Sequence, residues 1–303
     1  MSNVNSCRKS SKGLDCTTPQ PQWWYETDDP ASIRLGLHMT LLYAEESPYQ
    51  KLAVYEHDIL GRVLVLDNIV QTTQADEFIY HEMFVHVPIL GGTFAMRSGG
   101  IDVLIIGGGD GGILREVLRH PFVSRVVMVE IDEAVVRVSR EYLGIHGNYD
   151  DPRVQLVIDD AFHYIQSHEA LKQPFDLILV DATDPVGPGK ILYSEAFYAH
   201  LDRCLKPNGL VVRHLGLPFL QGEVLQEGVA NLKRVFGTVQ VYRITVPTYI
   251  CGEMAFAAAN REGYRIDVPQ KRFEARFYNE QVHQAAFALP TYWQHLIAGS
   301  HSQ

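Results

Sequence analysis

Continuous apolar strands alternate with amphipathic helices in the part of the chain after Gly99 and Gly100. Such strands are predicted at residues 103–106, 126–129, 154–158, 177–180 and 210–212, with helices at 113–120 and 133–143. Because strands that are apolar on both faces are buried on both faces, the pattern predicts an α/β fold with a mostly parallel sheet between helices. Later apolar segments at 239–246 and 254–259 are expected to close this sheet as an antiparallel pair.

The preceding region has a different pattern. From Gln50 to Thr73, short apolar stretches alternate with turn signals such as Gly61 and Asp67-Asn68, which predicts a small antiparallel sheet of hairpins. Residues 35–43 are expected to add an earlier strand, and a helix is predicted from about 76 to 87, where Pro88 interrupts the helical period. We therefore predict a flexible tail at 1–20, an N-terminal β domain with a linking helix at 21–87, and an α/β catalytic domain at 88–303.

Composition and charge exclude several classes of protein. The 303 residues carry a formal net charge of −10, which argues against a nucleic-acid partner because such binding needs a basic face. The charge suits a cationic substrate, although acidic enzymes of the cytosol often carry it for solubility. The four cysteines show no CxxC or paired Cys/His spacing, so neither a zinc site nor a disulfide framework is predicted. No apolar run reaches membrane length and none resembles a signal peptide, so we expect a cytoplasmic protein without a membrane partner.

A glycine loop follows the first predicted strand of the α/β region. Residues 107–112 read Gly-Gly-Gly-Asp-Gly-Gly, in which Gly107, Gly109 and Gly112 satisfy the dinucleotide pattern G-x-G-x-x-G. Such loops lie at a helix N-terminus, where backbone N–H groups favour an anion. Asp110 would repel phosphate, so the nucleotide bound here is expected to carry little negative charge. By itself, Asp110 fits a helix cap, an ammonium partner or a metal ligand, although no second metal ligand is spaced nearby.

Four predicted strands end in carboxylates, namely Asp110, Glu130, Asp160 and Asp181. Ligands of such sheets bind outside the carboxyl ends of the strands, so we expect an acidic site there. Glu130, 18 residues beyond Gly112, is placed to accept hydrogen bonds from ribose hydroxyls, which fits NAD and S-adenosyl cofactors alike. Asp160 fits either a cap of the next helix or an acceptor for an adenine amino group.

Two carboxylates, Asp181 and Asp184, stand three residues apart in a segment that Pro185 and Pro188 stiffen. A turn at the strand end accounts for one of them but not for both. A diamine requires paired carboxylates of this kind, and so does general-base catalysis on an ammonium nucleophile.

With these motifs in this order, the chain resembles the spermidine synthases, the polyamine aminopropyltransferases, and in particular their bacterial members. The matching segments are 71–73, 76–83, 106–112, 114–117, 128–132, 181–189 and 247–249. The resemblance extends over nearly all of the chain after about Gln22. It implies a β domain followed by a methyltransferase-like Rossmann domain, assembled as a homodimer or homotetramer. It also implies transfer of the aminopropyl group of decarboxylated S-adenosylmethionine to a diamine, most simply putrescine, which gives spermidine and methylthioadenosine. No metal and no tightly bound cofactor is expected.

The resemblance implies a role for each matching residue. Residues expected to bind the donor are Gln50, His81, Gly107, Gly109, Asp110, Glu130, Asp160 and Ala161. Residues expected to line the diamine pocket are Trp24, Tyr80, Asp184, His214 and Tyr249. Asp181, with Tyr80, would remove the proton from the attacking amine. Asp110, helped by His81, would hold the aminopropyl ammonium and repel the carboxylate that ordinary S-adenosylmethionine retains.

The sequence departs from the family pattern at two places. His214-Leu215-Gly216 stands where bacterial relatives tend to carry Gln-Asn-Gly, and residues 189–193 replace a Glu-Ser-Leu-Phe type of sequence. Lys190, in the second segment, is unfavourable near a cationic substrate unless it points outward. His214 fits a residue of the amine pocket and equally a packed histidine with one satisfied nitrogen. The acceptor is therefore left open among putrescine, cadaverine, 1,3-diaminopropane, agmatine and spermidine.

Three other functions remain as alternatives. A putrescine N-methyltransferase would share much of the sequence, but Asp110 and His81 argue against a donor that keeps its carboxylate. An NAD-dependent dehydrogenase is supported only by the glycine pattern and Glu130. A non-catalytic polyamine-binding protein is disfavoured because both Asp181 and Tyr80 are present.

Overall fold

The computed structural model describes residues 19–26, 33–96, 99–182 and 191–299. The predictions made for the tail at 1–18 and for Asp184 and Lys190 concern residues outside these ranges. In the described residues, two β-sheets are connected through one long helix. No helix among the described residues is long and apolar enough to cross a membrane.

The N-terminal sheet has five antiparallel strands in chain order. They are β1 (Gln22–Tyr25), β2 (Gly36–Glu46), β3 (Lys51–His57), β4 (Gly61–Leu66) and β5 (Ile69–Thr73). The predicted hairpins are present, and Asp67 and Asn68 both have positive φ at the β4–β5 turn, as a tight hairpin turn requires. The sequence pattern did not predict β1, which pairs with β2 at the edge of the sheet.

The second sheet has seven strands in the order β11-β12-β10-β9-β6-β7-β8. They are β6 (Ile101–Gly107), β7 (Val123–Glu130), β8 (Val154–Ile158), β9 (Phe175–Asp181), β10 (Leu205–His214), β11 (Thr238–Thr245) and β12 (Glu253–Asn260). The neighbours from β10 to β8 are parallel, whereas β12 lies antiparallel between β10 and β11. The predicted α/β class, with an antiparallel closure, is confirmed.

Alternating residues of the central strands enter two different hydrophobic cores. Ile105 and Leu179 lie in the core beneath the first long helix, whereas Ile106 and Val180 lie in the core on the opposite face. The helices are α1 (Glu77–Gly91), α2 (Gly112–Leu118), α3 (Glu133–Val138), α4 (Ala161–Ile165), α5 (His168–Lys172), α6 (Glu195–Arg203), α7 (Gly222–Phe236), α8 (Glu280–Ala286) and α9 (Thr291–Ala298). Burial on both faces explains why the strands read as continuous apolar runs.

The predicted end of α1 at residue 87 is wrong. The helix includes Pro88 and continues to Gly91, so it crosses the predicted domain boundary. Proline lacks an N–H and therefore removes one helical hydrogen bond, a cost that burial of both faces of α1 offsets here. At the other end, the Asp76 carboxylate accepts hydrogen bonds from the backbone N–H and the hydroxyl of Thr248, at 3.0 and 2.6 Å. This contact fastens the segment at 247–249 to the start of α1.

Candidate active site

The glycine loop and Asp181 lie side by side because β6 and β9 are adjacent parallel strands. Gly107 pairs in register with Asp181, and the Gly108 N–H donates to the Asp181 carbonyl oxygen at 3.3 Å. Gly107 has a φ of +77°, and a Cβ there would overlap the Asp181 backbone. Glycine is therefore required at this position for both its φ and its close approach to β9.

Asp181 accepts a hydrogen bond from the Tyr80 hydroxyl, with 2.5 Å between the two oxygens. Burial raises the pKa of the Asp181 carboxyl above its ordinary value, and the nearby charge of Asp110 adds to this effect. Burial, with the Asp181 charge, also raises the pKa of the Tyr80 phenol well above its ordinary value. A buried carboxylate with a raised pKa, oriented by a neutral phenol, can accept a proton from a bound amine.

Asp110 and His81 form the second part of the site. The Asp110 carboxylate accepts from the Gly112 N–H at 2.8 Å and lies 3.4 Å from His81 Nε2. Burial by itself would raise the pKa of Asp110, but His81, the Gly112 N–H and the Arg115 charge together lower it. A Cβ at Gly112 would overlap the His81 ring, so α1 can pack against the loop only with glycine there. This geometry is compatible with Asp110 as a cap of α2 and also with Asp110 as the partner of a bound ammonium.

Glu130 and Gln50 meet around a residue that the sequence did not single out, Asp132. The Asp132 N–H donates to Glu130 Oε1 at 3.0 Å, and Gln50 Nε2 donates to Asp132 Oδ2 at 2.9 Å. Burial raises the pKa of Glu130 to about 7, although the Asp132 N–H opposes the shift. A Cβ at Gly109 would lie close to the Glu130 carboxylate. These contacts place Glu130 beside the glycine loop and bring Gln50 from the N-terminal sheet to the same area.

Asp160 and Ala161 lie at the start of α4, after β8. Asp160 is exposed and accepts from the His163 N–H at 3.0 Å, as an N-cap does. Ala161 is half-buried and packs against the core that contains Ile106. The Asp160 side chain therefore acts as a helix cap in this structure, and among the described residues its second oxygen has no hydrogen-bond partner.

Three of the residues predicted for the diamine pocket are aromatic, namely Trp24, Tyr80 and Tyr249. The Tyr249 ring meets Tyr80 edge-on at 6.3 Å between centroids, and its hydroxyl donates to the Gln71 carbonyl oxygen at 3.1 Å. Trp24 lies on β1 and packs against Tyr55 of the N-terminal sheet, with centroids 6.0 Å apart. Tyr249 therefore joins the segment after β11 to α1 and to β5, whereas Trp24 packs within the N-terminal sheet.

His214 ends β10 and contacts the end of β9. Its Nε2 lies 2.5 Å from the Ala182 carbonyl oxygen, so this nitrogen carries the proton and donates it. The other nitrogen, Nδ1, is buried without a hydrogen-bond partner among the described residues. The geometry is that of a packed histidine with one satisfied nitrogen, located next to Asp181.

Sequence reasoning missed the groups that hold His81 and the loop in place. Glu77 Oε2 lies 2.5 Å from His81 Nδ1, and Arg115 binds both oxygens of Glu77 at 3.0 and 2.8 Å. The Tyr149 hydroxyl donates to the Gly109 carbonyl oxygen at 3.1 Å. The four-residue spacing of Glu77 and His81 on a predicted helix was a usable signal for their contact, whereas no local pattern indicates Arg115 or Tyr149.

The His, Cys, Asp and Glu side chains of the described residues were compared with the arrangement that a metal ion requires. Within residues 19–26, 33–96, 99–182 and 191–299, no group of three or more His, Cys, Asp and Glu side chains is arranged to hold a metal ion. The charged groups of the site are instead paired with one another, with a phenol and with backbone N–H groups.

Two family models match the chain. A spermine/spermidine synthase domain matches residues 77–270, and a spermidine synthase tetramerisation domain matches residues 22–74. The polyamine aminopropyltransferase of Escherichia fergusonii is 46% identical over 290 residues, which cover 92% of this chain and 98% of the relative. The enzyme of the same description from Shigella flexneri is 45% identical with the same coverage.

Solved structures agree with the sequence relatives. A spermidine synthase in complex with the transition state analogue AdoDATO superimposes with a TM-score of 0.83 at 33% identity, covering 93% of this chain and 97% of the other. The spermidine synthase of Thermotoga maritima gives a TM-score of 0.80 at 31% identity, covering 93% and 96%. The chain therefore belongs to the spermidine synthase family of polyamine aminopropyltransferases.

Proposed function

We propose that this enzyme transfers the aminopropyl group of decarboxylated S-adenosylmethionine to putrescine, with Asp181 as the general base. The observation that carries the proposal is the 2.5 Å hydrogen bond between the Tyr80 hydroxyl and Asp181, beside a glycine loop that contains a second carboxylate, Asp110. This arrangement offers separate carboxylates to two amines, one on the donor and one on the acceptor. A related spermidine synthase binds a transition state analogue, which supports an adenosyl donor for this chain as well.

The donor is proposed to lie across the carboxyl ends of β6, β7 and β8. Gly107 and Gly109 allow its close approach, and Glu130, with Gln50, accepts hydrogen bonds from the ribose hydroxyls. Asp160 and Ala161, at the start of α4, are proposed to lie against the adenine. Asp110 pairs with the aminopropyl ammonium, an interaction that replaces the hydration of both charges with a direct contact.

The chemical step is a displacement at carbon. The lone pair of the neutral amine attacks the aminopropyl carbon next to the sulfonium sulfur, and a new N–C bond forms. The C–S bond breaks, its electron pair stays on sulfur, and methylthioadenosine leaves as a neutral thioether. Asp181 takes the proton that the amine must lose, because a protonated amine has no lone pair with which to attack. The protein's main contribution is to hold the two reactants in line.

The acceptor is proposed to bind between Tyr80, Tyr249 and the segment after β9, with Trp24 and Asp184 completing the pocket. His214, at the end of β10, lies on the acceptor side of Asp181 in this proposal. A diamine fits because one nitrogen must be neutral at Asp181 while the other remains an ammonium. Asp184 belongs to the residues outside the described ranges, so its part rests on the family motif alone.

We further propose a cytoplasmic homo-oligomer, a dimer or a tetramer, that assembles through the N-terminal sheet. The match of residues 22–74 to a tetramerisation domain supports this. Trp23 on β1 and Ile59 in the β3–β4 turn are exposed, at 64% and 81%. Exposed large apolar side chains on one sheet favour contact with another copy.

An amine panel tests the proposal. The purified full-length enzyme is incubated with decarboxylated S-adenosylmethionine and, separately, with putrescine, cadaverine, 1,3-diaminopropane, agmatine and spermidine, and the products are identified by mass. We expect spermidine and methylthioadenosine, with the highest kcat/KM for putrescine. Preference for another amine contradicts the proposed acceptor. S-adenosylhomocysteine as the product from S-adenosylmethionine would indicate methyl transfer instead.

A further inference from the structure

His81 is held between two carboxylates inside the protein. Its Nδ1 lies 2.5 Å from Glu77 Oε2, and its Nε2 lies 3.4 Å from Asp110 Oδ2. A neutral imidazole has a single N–H, so the ring donates to Glu77 and also faces Asp110 with an N–H only when it is protonated. Burial, the largest effect, disfavours the charged ring, but Asp110 and Glu77 together outweigh it and raise the pKa of His81 to about 10. His81 is therefore a buried imidazolium at neutral pH.

Glu77 is itself fixed in position. Arg115 of α2 binds both of its oxygens, at 3.0 and 2.8 Å, and Arg115 is fixed in turn by Glu116 and by the Ile145 carbonyl oxygen. Glu77 lies four residues before His81, on the same face of α1. A bidentate Arg–carboxylate pair has a defined geometry, so the direction of the Glu77 carboxylate is defined as well. The His81 ring consequently has one orientation available to it.

The side chains from Asp110 to Glu116 form a row of contacts in which negative and positive charges alternate. From the glycine loop inward they are Asp110, His81, Glu77, Arg115 and Glu116. If Glu77 were uncharged, the charges of Asp110 and His81 would cancel each other at the place where the donor ammonium is proposed to bind. With Glu77 ionised, its carboxylate offsets part of the His81 charge next to Asp110, while Arg115, Glu116 and Arg119 pair with one another at the far end of the row. The Asp110 charge, at the loop end of the row, attracts an ammonium and repels a carboxylate.

We propose that Glu77 is a positioning residue for donor recognition, which holds His81 as an imidazolium and so orients the Asp110 carboxylate toward the aminopropyl ammonium. The inference rests on the proposed function of Asp110. Glu77 touches neither the donor nor the reacting atoms and acts through His81 alone.

Several charged groups face His81 from the surrounding elements, and each enters its titration. Asp110 approaches from the loop after β6, Asp181 from the end of β9, and Arg115 from α2 through Glu77. Tyr80 lies next to His81 on α1 with its ring edge-on at 5.5 Å between centroids. Among the residues that the structure describes, only Glu77 and Asp110 lie within hydrogen-bonding or ion-pair distance of the ring.

The first test measures the ring directly in the full-length wild-type enzyme. Ring nitrogens of selectively labelled histidine are followed by NMR between pH 6 and 10, and His81 is assigned by its loss in His81→Gln. We expect both ring nitrogens of His81 to be protonated at pH 8. A neutral ring at pH 8 overturns the inference, and this result needs no variant of Glu77.

The second test compares variants of two buried glutamates of α1. In Glu77→Gln, we expect the proton affinity of His81 to fall about tenfold or more, together with a rise of about tenfold in KM for decarboxylated S-adenosylmethionine and a smaller change in kcat. In the matched control, Glu82→Gln, the titration of His81 and the KM are expected to stay unchanged, because Glu82 accepts from the backbone N–H groups of residues 276–278 instead of contacting His81. Thermal unfolding verifies that both variants are folded.

The outcomes separate this inference from the proposed function. An unchanged His81 titration and an unchanged donor KM in folded Glu77→Gln contradict the positioning role, and so does an equal effect of Glu82→Gln. Wild-type enzyme that makes no methylthioadenosine from the decarboxylated donor contradicts the proposed function. The protonation state of His81, measured by NMR in the wild-type enzyme, does not depend on the assay of methylthioadenosine formation.

Discussion

Helix α1 carries two buried histidines whose pKa values move in opposite directions. The pKa of His81 is raised to about 10. The pKa of His86, five residues later, is lowered, and that of its partner His120 is lowered to about 3. All three rings are almost completely buried, so burial by itself does not decide the charge. The difference must come from the groups that surround each ring.

The carboxylates are distributed differently in the two clusters. His81 contacts two carboxylates, one at each ring nitrogen, and one of these, Glu77, also binds Arg115. His86 and His120 share a single carboxylate, Glu116: His86 Nε2 contacts it at 3.0 Å, and His86 Nδ1 contacts His120 Nε2 at 3.0 Å. Burial lowers the pKa of both His86 and His120, and the nearby Arg119 charge adds to this. His120 and His86 therefore form a neutral hydrogen-bonded pair, and His86 in turn contacts the charged carboxylate of Glu116.

The two clusters also face different parts of the molecule. His81 faces the glycine loop and Asp110, whereas His86 and His120 pack against Phe273, with centroid distances of 4.3 and 4.7 Å. One helix thus carries a charged cluster toward the site and a neutral cluster toward the C-terminal segment. We expect variants near Asp110 to change catalysis and variants near His120 to change stability, and the following predictions test this division.

The largest effect is expected from Asp181→Asn. The asparagine keeps the shape and can still accept from Tyr80, but it cannot take a proton, so kcat should fall by about 100- to 10,000-fold. The unfolding midpoint in urea is expected to stay close to that of the wild-type enzyme. Methylthioadenosine formation measures the rate. Turnover at the wild-type level in folded Asp181→Asn would remove Asp181 as the base.

The next effect concerns the choice of donor in Asp110→Asn. Loss of one negative charge weakens the contact with the aminopropyl ammonium and removes the repulsion of a carboxylate. We expect the preference for decarboxylated S-adenosylmethionine over S-adenosylmethionine to narrow by about 10- to 100-fold, the size of a lost charged hydrogen bond. Calorimetry with both ligands gives the ratio of Kd values. An unchanged ratio contradicts the assignment.

A smaller effect, on stability alone, is expected from His86→Leu. The variant leaves the buried His120 N–H without its acceptor, which costs about 1–3 kcal/mol of the free energy of unfolding. Urea unfolding measures this loss, and kcat and the donor KM at a temperature well below the midpoint should equal the wild-type values. A large fall in kcat with unchanged stability would contradict the expectation that the His86–His120 cluster affects stability alone.

The smallest effects are opposite pH dependences of the two clusters. The folded pKa of His81 lies above its unfolded value of about 6.5, so its contribution to stability is complete below pH 6.5 and is lost as the pH rises toward 10. The folded pKa of His120 lies below that value, so its contribution is present above pH 6.5 and is lost as the pH falls toward 3. Each group changes the free energy of unfolding by at most about 1.4 kcal/mol per pH unit.

Urea unfolding of two variants measures these slopes. The difference between wild type and His81→Gln should shrink as the pH is raised from 7.5 to 8.5. The difference between wild type and His120→Gln should shrink as the pH is lowered from 6.5 to 5.5. Equal slopes for the two variants would show that the two clusters do not differ in charge state.

Much of the fold could be predicted from local patterns. The apolar runs located every strand of the parallel sheet, and the turn at Asp67 and Asn68 located a hairpin. The pattern missed β1, because four residues at a sheet edge show no clear alternation, and it ended α1 too early at Pro88. Burial of α1 on both faces is a tertiary effect that overrides the local preference of proline.

Part of the site could be predicted from local patterns as well. Strand ends are local features, so Asp110, Glu130, Asp160 and Asp181 could be located from the sequence, and β6 and β9 do bring Asp110 and Asp181 together. The contact between Gln50 and Asp132 spans two sheets, and no local pattern indicates it. The roles of these residues toward the donor and the amine stay predictions until they are tested by the variants above.

Local sequence patterns locate the strands and loops, and the carboxylate within the glycine loop, because apolar periodicity and glycine placement act over a few residues. Which groups are charged depends on contacts made across the fold. His81 and His86 have similar local surroundings on α1, yet one is charged because Asp110 joins Glu77 around it, and the other is neutral because it shares Glu116 with His120. Charge state depends on which residues meet across the fold, and those residues lie about 30 or more positions apart in the sequence.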